Sequence, residues 1–151
     1  MESSGLGPSD TLNLTPNKID FKSDPVAITI QRQMTDHVFT TFISKEAATA
    51  LNQYIKEKGA MNPEEKIFNF SATRLLTTWR KASEIAGYEK IRLFELRRFF
   101  HKILCINGTQ EFIINFLMGF QQNLEKQHIE ITKEPLREEY KKVEPNLTIF
   151  T

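Results

Sequence analysis

An α+β fold, mostly helical with a small antiparallel hairpin packed at one side, is the class that this sequence predicts. Three observations carry it: a β-branched and aromatic hairpin early in the chain, a succession of amphipathic segments with helical spacing after it, and no later block of strands. With 151 residues, 40% of them hydrophobic and 26% charged, the chain suffices for one sizeable core, so a single domain spanning 1–151 is expected.

Each element follows from local pattern. Residues Met1 to Asp24 are rich in Ser, Gly, Pro, Asn and Asp, and little regularity is expected there beyond one helical turn around Leu12 and Leu14. Val26, Ile28 and Ile30 alternate with smaller or polar residues, and Val38 to Ile43 is again β-branched and aromatic, which predicts two strands joined by the polar residues Gln33 to His37. Ser44 is placed to cap a helix whose Ala47, Leu51, Tyr54 and Ile55 form a stripe ending before Gly59. Ser71 caps a second helix with Leu75, Leu76, Trp79, Ala82 and Ile85 on one face, and Trp79 is assigned to the core. A third helix runs from about Leu93 to Ile106 and a fourth from Glu111 to Met118, both stopped by glycine, with Phe99, Ile103 and Ile106 read as core. A short helix near Gln122 to His128 and a charged one from Glu134 to Val143, ended by Pro145, complete the series.

Composition excludes several classes of function. Twenty basic residues against 19 acidic ones leave a net charge of +1, so no global field drives binding to nucleic acid or anionic membrane, and any DNA contact must come from a local patch. The basic cluster Lys90, Arg92, Arg97, Arg98 and Lys102 outnumbers its neighbours Glu89 and Glu95, and reads either as a modest phosphate-facing patch or as a solvated helix face. No apolar run is long enough to span a bilayer, and the lone Cys105 forms no internal disulfide, so no membrane and a cytoplasmic setting are expected. Gly5-x-Gly7 lacks the other glycines and the preceding strand of a dinucleotide loop. His101 and Cys105 make only an isolated i, i+4 pair, too little for zinc, so neither cofactor nor metal is expected.

The order of elements and several short motifs resemble the catalytic domain of tyrosine recombinases (phage integrases), with the closing segment similar to the archaeal type. The likeness covers almost the whole chain. Ser4-Gly5-Leu6-Gly7-Pro8-Ser9-Asp10-Thr11-Leu12-Asn13-Leu14 follows the family pattern with Gly7 in the place of its first arginine. Ile19-Asp20-Phe21 introduces the hairpin, whose Arg32-Gln33-Met34-Thr35-Asp36 turn has Met34 in the place of a lysine. Phe94-Glu95-Leu96-Arg97 stands for the His-x-x-Arg motif, keeping Arg97 and exchanging histidine for Phe94. Leu117-Met118-Gly119-Phe120 stands for Leu-Leu-Gly-His, and the family spacing then puts Ile129 where the nucleophilic tyrosine belongs. The tail Leu136-Arg137-Glu138-Glu139-Tyr140 with Pro145-Asn146-Leu147-Thr148 is similar to the helix that follows the tyrosine, so Tyr140 is not taken as the nucleophile.

In that family arginines clamp the scissile phosphate, the lysine protonates the leaving oxygen, and tyrosine forms the covalent intermediate. The resemblance therefore implies a recombinase-like domain with degenerate positions Gly7, Met34, Phe94, Phe120 and Ile129, gathered around Arg97 as an apolar patch or an extension of the core, and without strand cutting. It further implies contact with double-stranded DNA through Arg97, Arg98, Arg92, Lys102 and Arg32, or modulation of DNA recombination and integration in a mobile element. The alternative role for Arg97 is structural, held by Glu95 or a neighbouring acid. Residues 130–151 are expected to dock on a partner, either a second copy or an active integrase, and the family's separate N-terminal DNA-clamping domain is not seen. Two other functions compete: a protein-interaction remnant that no longer binds DNA, and an active recombinase with a displaced nucleophile such as Tyr140.

Overall fold

Alternating apolar residues on both sides of a hairpin require cover on both faces, and that requirement organises the molecule. The chain is described by a computed structural model over residues 1–32, 37–59, 61–88, 91–120 and 132–149. The expected hairpin is present as β2 (Val26–Arg32) and β3 (His37–Ile43), and a short β1 (Ile19–Asp20) adds a third strand in the antiparallel order β1-β2-β3. Its register pairs Val26 with Ile43, Ile28 with Thr41 and Ile30 with Phe39 on one face, and Ala27 with Phe42 on the other. The first face is covered by Leu6, Leu14, Ala48 and Ile67, the second by Phe100, Leu104, Ile114, Leu117 and Tyr140. The sheet thus lies between two apolar clusters rather than at one side, because Phe42 points opposite to Ile28 and Ile30 and needs its own cover.

Helix boundaries fall close to those that the caps dictate. The single turn α1 (Pro8–Leu12) precedes the sheet, and α2 (Lys45–Lys58) follows it, with the Ser44 hydroxyl accepting from the Ala47 N–H at 3.3 Å. Ser71 caps α3 (Ala72–Ile85) in the same way through Arg74. Then come α4 (Phe94–Ile106), α5 (Glu111–Leu117) and α6 (Lys133–Val143), the last running into a 3-10 turn, Glu144–Leu147. The expected short helix at Gln122 to His128 lies outside the described residues.

Two helical faces differ from expectation. In α3 only Ser83 is buried, Leu76 and Ile85 are 53% and 88% exposed, and Trp79 is half-buried with its Nε1–H donating to the Ile91 carbonyl at 2.8 Å. Amphipathic spacing marks an apolar face without deciding whether another element covers it. In α4 the buried side is Arg97, Phe100 and Leu104, whereas Phe99 and Ile106 are exposed and Ile103 is half-buried. At roughly 100° per residue Phe99 and Ile106 lie opposite Arg97 and Leu104, so turning Phe100 and Leu104 inward turns them out.

The N-terminal segment is more tightly integrated than its composition suggests. Ser3, Ser4 and Leu6 are buried, the Ser4 carbonyl accepts from Thr41 Oγ1 at 2.8 Å, and the Ser3 carbonyl accepts from the Tyr140 hydroxyl at 2.6 Å. Helix α6 buries Leu136, Tyr140 and Val143 at i, i+4 and i+7, and the Tyr140 ring packs on Phe42 and Phe100 with centroids 5.5 and 6.4 Å away. The apolar side of the C-terminal segment therefore closes the core of its own chain. Burial, then the charges of Glu144 and Glu2, raise the Tyr140 phenol far above the usual tyrosine range. Among the described residues no helix is long and apolar enough to cross a membrane.

Replacing Tyr140 by Phe strands the buried Ser3 carbonyl without filling or emptying space, and a loss of about 1–2 kcal/mol is expected in urea unfolding. An unchanged unfolding midpoint would show that the Tyr140–Ser3 bond does not hold the chain's two ends together.

Candidate functional site

Four elements bring charge to one point. Arg97 projects from the buried side of α4, Arg32 ends β2, Asp10 lies in the first turn of α1, and the carbonyls of Met118 and Gly119 terminate α5. The last turn of a helix leaves carbonyls without intrahelical donors and carries the negative end of the helix dipole, so both guanidiniums find acceptors there. Arg97 Nη2 donates to Met118 O at 2.8 Å, and Arg32 Nη1 donates to Gly119 O at 2.5 Å. Arg32 also makes a two-point pair with Asp10, Nη2 to Oδ2 at 2.8 Å and Nε to Oδ1 at 3.3 Å.

Aromatic rings close the cluster. Arg97 lies 4.8 Å from the centroid of Phe120, and Arg32 lies 4.8 Å from that of Phe39. Arg97 is only 5% exposed; burial, followed by the charge of Arg32, lowers its pKa, while Asp10 acts in the opposite direction. Gly119 sits at φ 66°, and a Cβ there would meet the Phe39 ring at 2.5 Å, so only glycine lets the chain turn after α5 and keep its carbonyl on Arg32.

The positions singled out in the sequence distribute unevenly. A Cβ at Gly7 would lie 3.7 Å from Arg97 Nη1 and 3.5 Å from Asp10 Oδ2, so residue 7 faces this cluster. Phe120 reaches Arg97 directly. Phe94 is 49% exposed one turn before Arg97, and its ring lies beside Arg98 at 5.7 Å instead. Met34 and Ile129 lie outside the described residues. Among the described residues, the surroundings of Arg97 combine the Phe120 ring with the charged pair Arg32–Asp10 and the Met118 carbonyl.

Arg97 is not held by Glu95, which instead pairs with Arg92 at 3.3 Å and Arg98 at 3.1 Å on the surface. The reason is rotation: Glu95 and Arg97, two residues apart on α4, point to different sides. Arg92 and Arg98 have side chains 72% and 60% exposed, and Lys102 is exposed. Sequence reasoning missed Asp10 as the partner of Arg32, and its one sequence signal is an acid in the first turn of a helix beside Gly7. The carbonyls of Met118 and Gly119 have no signal in side-chain identity. A groove beside α1, lined by Pro8, Leu12, Lys66, Phe68 and Phe70, includes none of the candidate residues.

No family model matches the chain, and no curated protein matches it. Solved structures do. The chain is similar to XerA recombinase at a TM-score of 0.70 with 19% identity, covering 93% of this chain and 54% of that one. It is similar to the XerH site-specific recombinase bound to its difH substrate in a pre-cleavage complex, at 0.66 with 16% identity, over 91% and 42%. It is also similar to the Tn1549 transposon integrase in complex with transposon right-end DNA, at 0.56 with 17% identity, over 94% and 56%. The chain thus spans about half the length of these structures. Element order, the three-stranded sheet between helical clusters and these likenesses together give the chain the fold of a tyrosine-recombinase catalytic domain.

Proposed function

We propose that this domain takes part in DNA recombination or integration by contacting duplex DNA without cutting it. The observation that carries the reading is the engagement of Arg32 by Asp10 and Gly119 O and of Arg97 by Met118 O, because internal acceptors already take part of each guanidinium's donor set. The tyrosine nearest the C-terminus does not substitute for a nucleophile, since the Tyr140 hydroxyl is buried and bonded to Ser3. Gly7, Met34, Phe94, Phe120 and Ile129 supply no group that protonates or attacks a phosphodiester.

DNA contact is assigned to the exposed face at the start of α4. Ion pairs as exposed as those of Arg92 and Arg98 with Glu95 contribute about 0–1 kcal/mol, so a phosphate competes for these arginines, and Lys102 extends the face. Two of the similar structures are DNA complexes, which supports the same class of target. An intracellular, cytoplasmic setting and a mobile-element origin of archaeal type follow from this reading and from the tail Leu136 to Thr148. Pairing with a second copy or an active integrase through 130–151 would use the charged side of α6, where Glu138, Lys141 and Lys142 are exposed, since its apolar side is buried.

A second reading, a protein-binding surface that has left DNA behind, is favoured by Phe94 and Phe120, which remain 49% and 45% exposed.

A nicked suicide duplex is expected to yield no covalent protein–DNA adduct, and an adduct on denaturing gels would overturn the non-cutting assignment. In fluorescence anisotropy, log K against log salt concentration is expected to slope at roughly −3 for three phosphate contacts, flattening in the triple variant Arg92→Ala, Arg98→Ala, Lys102→Ala. No binding at micromolar protein in low salt would leave the protein-binding reading. Arg97→Ala is expected to lower stability by about 2 kcal/mol while leaving DNA affinity within twofold, because it orphans a buried carbonyl rather than a phosphate. Lost affinity at unchanged stability would reverse that assignment.

A further inference from the structure

The far end of α4 gathers a second constellation. His101 and Cys105 stand one turn apart, with Nδ1 3.5 Å from Sγ, and Glu111, the first residue of α5, brings Oε1 to 3.8 Å from His101 Nε2. One donor atom of each residue lies within 4.8 Å of the other two. Along the sequence this is an isolated pair, and the third member arrives only because the chain reverses between α4 and α5.

That reversal is firmly built. Asn107 Nδ2–H donates to Ile103 O at 2.8 Å, Gly108 takes φ 76°, Thr109 N–H returns to Leu104 O at 3.1 Å, and Asn146 Nδ2–H donates to Asn107 Oδ1 at 3.2 Å. Behind it Phe100, Leu104, Ile114 and Leu117 are wholly buried and fix the two helices together. The backbone positions of all three side chains are therefore set, while the side chains themselves are free to rotate, with His101 and Glu111 40% and 68% exposed.

We propose that His101, Cys105 and Glu111 bind a divalent cation of the zinc class, bridging α4 to α5. Thiolate, imidazole and carboxylate are the donor types that such an ion accepts at about 2.0–2.3 Å, and contracting the present separations to a tetrahedral set needs only side-chain rotation, with water in the fourth position. His101 offers one ring nitrogen to the ion. Cys105 gives up its thiol proton to solvent as the metal–sulfur bond forms. Cys105 lies in the last turn of α4, where the helix dipole favours a cation and no basic side chain is present. Cys105 and His101 are within hydrogen-bond reach and His101 and Glu111 within ion-pair reach, and a bound cation would replace both exposed contacts. This site is independent of the DNA reading.

The test is titration of the reduced, metal-free full chain with Co2+, followed by displacement with Zn2+. One Co2+ per chain is expected, with thiolate-to-cobalt charge-transfer absorption and the strong visible bands of a tetrahedral site, and Zn2+ should bleach them one for one and raise Tm. Cys105→Ser should abolish the charge-transfer band, and His101→Gln and Glu111→Gln should each weaken Co2+ binding by at least about tenfold. Affinity should fall as pH falls, because thiol and imidazole must shed protons. All three side chains are on the surface, and circular dichroism of the metal-free variants should match the parent. No charge-transfer band at excess Co2+ would overturn the proposal. So would affinity unchanged in both His101→Gln and Glu111→Gln, which would leave Cys105 as an exposed thiol alone.

Discussion

A guanidinium does not shed its proton at physiological pH, so burying Arg97 obliges the fold to deliver an acceptor to it. The acceptor is the C-terminal end of α5, and the same helix end serves Arg32 through the next carbonyl. Arg32 in turn holds Asp10, which ties α1 and the N-terminal segment to the hairpin. One helix terminus thus fixes the relative positions of α1, β2, α4 and the chain leaving α5. Gly119 belongs to this constraint: its φ of 66° turns the carbonyl to Arg32, and its missing side chain leaves room for Phe39.

The same arrangement separates two kinds of positive charge. Arg32 and Arg97 are bonded to carboxylate and carbonyl oxygens inside the molecule, whereas Arg92 and Arg98 share Glu95 in solvent, where screening makes the pairing weak. A fold shared with recombinase structures at 16–19% identity carries the arrangement of elements but not the chemistry of the centre. The chemistry has to be read from the residues present, and among those described Arg97 meets the Met118 carbonyl and the Phe120 ring.

Helix α4 connects the arginine cluster to the His101, Cys105 and Glu111 group. It contributes Arg97 to the buried cluster and Arg98 and Lys102 to the surface beside Arg92, which precedes it, while its last turn carries Cys105 with His101 one turn before it, facing Glu111 on α5. Near Met118, α4 is tied to the end of α5 by the buried Arg97 hydrogen bond, and near the turn His101 and Cys105 approach Glu111 at the surface. Helix α3 contrasts with them, leaving Leu76 and Ile85 exposed.

Local chemistry determined much of this protein. Ser44 and Ser71 as caps, glycines after α2 and α4, and β-branched alternation in the hairpin were legible because each acts within a few residues of itself. The place of residue 7 beside Arg97 was legible through motif order. What only the tertiary structure decided are the matters that depend on distant partners: that Leu76 and Ile85 of α3 are exposed among the described residues while Phe42 is covered, that Phe99 faces solvent while Phe100 does not, and that Arg32 meets Asp10. The acceptors of Arg97 and Arg32 are backbone oxygens, identical in every residue type, and their availability is set by where a helix stops and what approaches its end. Side-chain sequence encodes the first of these conditions and leaves the second to the packing of the whole chain.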